Sequence, residues 1–158
     1  MQSYDFQESL GYWLTVTSQA VHRRLDELLS PQDITFRQSH VIGWLALLGE
    51  APQCELAKRM LIEPPTLVRL LDHMERRGWI ERVESPTDRR QKLVRLTAAA
   101  EPVWDRIVAS ARQVRREAAE GLTGEEVQVL NHLCERILGN LQRREETCPV
   151  LNREASHA

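Results

Sequence analysis

Two short stretches of this 158-residue chain carry side chains whose chemistry calls for a partner. The first is Pro65-Thr66-Leu67-Val68-Arg69, with His73 one turn further on. At helical spacing Thr66, Arg69 and His73 fall on one side, while Leu67, Leu71 and Met74 fall on the other. A guanidinium can donate two hydrogen bonds to a guanine edge, and a threonine can reach a base methyl or a phosphate. A helix that enters a major groove needs this division, with one apolar face on the core and one polar face outward. The prolines at Pro64 and Pro65 fix the helix start and are expected to leave nearby amides free for a phosphate. The second stretch is Asp88-Arg89-Arg90-Gln91-Lys92, cations gathered on a turn-rich tip that adds little to a core. Such a tip can place an arginine in the minor groove, where the potential is most negative, with Asp88 orienting it through a charge-assisted pair. An ordinary amphipathic helix or a solvated loop would share parts of this pattern.

The distribution of charge supports a polyanion partner where the total does not. The chain carries a net −2, yet ten basic and six acidic residues between Lys58 and Thr97 leave that stretch at +4 and the remainder at −6. A basic middle between acidic flanks is the footprint of a localised binding surface.

These stretches must be positioned by a mostly helical chain, since Gly and Pro are sparse and apolar residues recur at helical spacing. A first helix is expected from about Asp5 to Leu29, with Leu10, Leu14, Val21, Leu25 and Leu28 on its apolar side. Thr35 and Gln38 fit a capping box opening a second helix that stops at Gly49. Pro52 suits the first position of a short third helix with Leu56, Ala57 and Met60 inward. The fourth helix runs from Glu63-Pro64-Pro65 to Arg76-Arg77, with Gly78 suited to a left-handed cap. Residues 79–84 and 93–96 read as a β-hairpin around the basic tip. Thr97 is expected to cap a fifth helix through Val114. Thr123 and Glu126 form a second capping box before a last helix with Val127, Leu130, Leu133, Ile137 and Leu141 inward. The tail after Glu146 is expected to fray.

The order α-α-α-α-β-β-α-α is that of a mainly helical winged helix-turn-helix with a β-hairpin wing. Leu56-Ala57-Lys58, Ile62-Glu63-Pro64-Pro65-Thr66-Leu67-Val68-Arg69, Leu71-Asp72 and Arg77-Gly78-Trp79-Ile80 resemble the recognition region of the MarR family, its SlyA-like branch in particular. Asp88-Arg89-Arg90, Leu96-Thr97 and Ala100-Glu101-Pro102 match its wing and the following helix. The resemblance implies a homodimer on pseudo-palindromic double-stranded DNA. Residues 35–97 would form the DNA-binding part; 1–34 and 98–145 would form the dimerisation part of a single 1–158 domain. It further implies that Pro65, Thr66 and Arg69 contact DNA and that Arg90 enters the minor groove, helped by Arg89 and oriented by Asp88. Pro64 departs from the polar residue more common in the SlyA-like pattern. Family members often bind small aromatic acids between arm and DNA-binding part; His22, Arg24, His40 and Trp44 are the candidates here, although such residues also serve packing.

Other classes find less support. No paired His or Cys spacing points to a metal, and no nucleophile elbow, P-loop, dinucleotide fingerprint or zinc-protease motif points to an enzyme or a cofactor. Cys54, Cys134 and Cys148 are too scattered for a disulfide framework, and Cys134 is expected to be a buried small hydrophobe. No apolar run approaches the ~20 residues of a membrane span, and no secretory signal is visible, so a cytoplasmic protein is expected. A sensor without operator binding, for a small molecule or a metal, and a winged-helix protein–protein module remain the alternatives.

Overall fold

The computed structural model describes residues 5–86 and 92–146, in two compact units whose boundary follows Arg115. In the first unit, α1 (Leu10–Leu29) begins later than the expected Asp5, because the Ser9 hydroxyl accepts the Tyr12 amide and caps it there. Of its residues only Leu29 is fully buried; Leu10, Leu14 and Val21 are exposed. The α2 helix (Phe36–Leu48) opens with the expected capping box, Thr35 N–H donating to Gln38 Oε1 and Gln38 N–H to Thr35 Oγ1. It ends at Gly49, whose φ of 78° is one that L side chains rarely adopt.

The sheet contains a strand that the sequence reading did not contain. β1 (Glu50–Pro52) pairs antiparallel with β3 (Lys92–Leu96), which also pairs with β2 (Ile80–Glu84), in the order β1-β3-β2. Pro52 therefore ends a strand and caps α3 (Gln53–Met60) rather than starting it. A three-residue strand ending in proline has no alternation to betray it, and the pairing partner that creates it lies over forty residues away.

The α4 helix (Pro64–Arg76) buries Leu67, Leu71 and Met74 against Leu45, Leu56, Ile80 and Val94 in one core. Gly78 (φ 72°) follows it, and Trp79 N–H reaches back to the Met74 carbonyl, the left-handed stop expected of that glycine. Thr97 does not cap α5 (Glu101–Ala118): its hydroxyl donates to the Gly78 carbonyl, and a 3₁₀ turn over Ala98–Ala100 intervenes. Val103, Ile107 and Val114 of α5 are buried, and Pro102 sits in its first turn, where a missing N–H is tolerated.

In the second unit, α6 (Gly124–Glu146) opens on the expected Thr123–Glu126 box. Its apolar stripe is not covered as expected. Leu130, Leu133 and Leu141 are exposed, Val127 and Ile137 half-buried, and Cys134 exposed rather than buried. Helical spacing reveals that a face is suited to burial; it does not reveal whether the same chain supplies the cover. The expectation for the tail after Glu146 concerns residues outside the described ones.

Candidate nucleic-acid interface

The α4 helix is held on three sides, and what holds it decides what it presents. Its apolar face is buried. At its C-terminal end Arg77 spans to the α1–α2 connection, with Nη1 2.6 Å from the Asp33 carbonyl and 2.9 Å from the Asp33 carboxylate. The same guanidinium lies 3.9 Å over the Trp79 ring. From the sheet, Arg82 of β2 bonds Asp72 and Glu75 of α4. The remaining outward face carries Pro65, Arg69, His73 and Arg76, all exposed, with Thr66 half-buried at its edge.

Pairing divides the basic stretch into two populations. Arg59, Arg77, Arg82 and Arg95 are engaged by Glu55, Asp33, Asp72 with Glu75, and Glu81 respectively. Lys58, Arg69, Arg76 and Lys92 make no ion pair among the described residues and are exposed. Unneutralised cations on one helix face suit a phosphate backbone and base edges. The sequence reading missed Arg76 as a contact residue; the signal was its place seven residues after Arg69, two turns along the same face. Asp88, Arg89 and Arg90 lie outside the described residues.

One expectation fails at the start of α4. Pro64 and Pro65 have no N–H, and the Thr66 and Leu67 amides both donate to the Glu63 carbonyl, at 3.0 and 3.1 Å. The amides expected to be free for a phosphate are thus removed by proline or already used.

The four candidate ligand residues separate. His22 and His40 flank the Phe36 ring, with centroid distances of 4.3 and 4.2 Å. Burial, then the neighbouring His22, lowers the His40 pKa below the ordinary 6.5. His40 and Trp44 line an apolar cleft of about 380 Å³ with Leu25, Leu47, Trp104 and Ile107. His22 lines another of about 460 Å³ with Arg23, Phe36, Arg37 and Leu70. Arg24 joins neither, and pairs with Glu27 at 3.0 Å. Trp104 was missed because its cleft neighbours Leu25, His40 and Trp44 come from distant segments, and Phe36 because His22 joins it from another helix.

A helix docked by its apolar face, with exposed arginines outward and a sheet beside it, defines a winged helix-turn-helix protein built to bind DNA. The MarR family model matches residues 32–91. The multiple antibiotic resistance protein MarR of Escherichia coli is 32% identical over 130 residues, covering 82% of this chain and 90% of that protein. Its Salmonella typhimurium counterpart is 33% identical over the same shares. The chain belongs to the MarR family. Among solved structures, apo MarR from E. coli superposes with a TM-score of 0.73 at 31% identity, over 82% of this chain and 96% of that one. A MarR variant complexed with operator DNA gives 0.75 at 30% identity, over 86% and 99%. NadR in complex with 4-hydroxyphenylacetate shares the fold, with a TM-score of 0.75 over 87% and 97% of the two chains at 24% identity.

Proposed function

We propose that this chain is a homodimeric, sequence-specific transcription regulator that places α4 in the major groove of pseudo-palindromic sites. The observation that carries the reading is the outward α4 face, where Arg69 and Arg76 are exposed and make no ion pair among the described residues, beside Pro65, Thr66 and His73. MarR, solved on operator DNA, supports it. In this reading Lys92 meets the backbone, and Arg90, with Arg89 and Asp88, serves the minor groove. The dimer would form through residues 1–34 and 98–145, leaving 35–97 to DNA; the exposed apolar residues of α1 and α6 support this division. The SlyA-like assignment, resting on the residues between Leu56 and Pro102, a cytoplasmic location and the absence of enzymatic activity belong to the same reading.

An aromatic acid is the modulator we infer, seated on His40 and Trp44 in their apolar cleft; the NadR complex supports the ligand class. His22 would act through Phe36, and the Arg24–Glu27 pair would have to open for Arg24 to take part.

The test is fluorescence anisotropy on duplexes that the protein enriches from a random library, across a salt series. DNA binding predicts a steep linear fall of log K with log salt, by ~0.9 per phosphate contact. Arg69→Ala and Arg90→Ala should each weaken binding sharply. Full affinity in both variants would defeat the mechanism.

A further inference from the structure

The recognition helix has side-chain charges that cancel. Between Pro64 and Arg76 it carries Arg69 and Arg76 against Asp72 and Glu75. The two carboxylates are 48% and 41% exposed, and beside phosphates each would oppose binding. One side chain engages both. Arg82 reaches from β2 with Nη2 2.6 Å from Asp72 Oδ1 and Nη1 bonded to Glu75 Oε2, while Nη2 also lies 3.5 Å from the Val68 carbonyl.

Arg82 differs from the other paired arginines of this stretch. Arg59 and Arg95 hold one carboxylate each with side chains 37% and 49% exposed, where water and salt screen the pair. The Arg82 side chain is only 15% exposed, and its Nε is buried without a hydrogen-bond partner among the described residues. The fork faces both carboxylates at the expense of that atom. A lysine offers one point charge and lacks this two-pronged reach.

We propose that Arg82 is a positioning and charge-masking residue for DNA recognition: it binds both Asp72 and Glu75, offsetting one of their two negative charges, and fixes α4 against the wing strand. The helix surface then carries a net positive charge toward the groove, supplied from the sheet. This rests on the DNA-binding reading above.

The experiment measures anisotropy affinities for one duplex enriched by the wild-type protein, with melting temperatures recorded in parallel. Arg82→Met is expected to bind about tenfold more weakly or worse, since two unmasked carboxylates then face the phosphates. Adding Asp72→Asn and Glu75→Gln to Arg82→Met should return affinity to within about threefold of wild type, because the charges needing a mask are gone. A purely structural arginine would not be rescued in this way, so a triple variant as weak as Arg82→Met overturns the masking role. Should Arg82→Met fail to fold, Arg82→Lys, whose single ammonium lacks the two-pronged reach, decides in the same way: weakened binding that Asp72→Asn/Glu75→Gln restores supports the proposal, and weakened binding left unrestored, or unchanged binding, overturns it. Unchanged binding by Arg82→Met overturns it as well. A wild-type protein that enriches no duplex defeats the DNA-binding reading itself, a distinct result.

Discussion

At the residue scale, a side chain's partner matters more than its type. Arg69, Arg77 and Arg82 look alike in the sequence, yet among the described residues Arg69 makes no ion pair while Arg77 and Arg82 hold carboxylates. Arg69→Ala should therefore relax base preference at one position per half-site by about 1–3 kcal/mol, read from competition between single-base duplex variants. Arg77→Ala should instead lower the melting temperature, through loss of the Asp33 bonds and the stacking on Trp79. His40 provides a pH test. Its folded-state pKa is lowered, so the unfolded chain binds the proton more readily and stability rises with pH. That contribution is fully present above the unfolded value of about 6.5 and is lost as pH falls through it toward the lowered folded value. Melting temperatures between pH 7.5 and 5 should fall less steeply in His40→Gln than in wild type.

At the element scale, local signals that need only a few neighbouring residues were legible. Both capping boxes and the α4 stop at Gly78 are where the sequence places them, because each depends on contacts within five residues. Thr35→Ala should cost about 0.5–2 kcal/mol in urea unfolding, the usual range for a lost N-cap. Elements set by distant partners were not legible. β1 exists because β3 pairs with it, and Thr97 turns from capping α5 to bonding the Gly78 carbonyl nineteen residues away. The free amides expected at α4 failed for a subtler reason: the prolines that start the helix also remove its donors.

At the scale of the whole molecule, the exposed apolar side chains of α1 and α6 call for cover. Leu10, Trp13 and Leu14 on one helix and Leu130, Leu133, Leu138 and Leu141 on the other are each 39–59% exposed. A second copy of the chain would cover them in the dimer proposed above. Leu133→Glu with Leu130→Glu should convert the dimer to a monomer in sedimentation experiments and reduce the salt slope of DNA binding, since half the phosphate contacts are lost. A variant that stays dimeric would place the interface elsewhere.

The sequence by itself determined the order of helices, the apolar face of α4 and the polar residues that share its other face, because periodicity and capping are local properties. Only the tertiary structure decided which cations are available. Arg59, Arg77, Arg82 and Arg95 are turned to carboxylates, two of them by contacts across the sheet or to the α1–α2 connection, while Arg69 and Arg76 stay exposed and make no ion pair among the described residues. Charge can be counted along a chain, but whether it is neutralised depends on which distant side chains folding brings within about 4 Å.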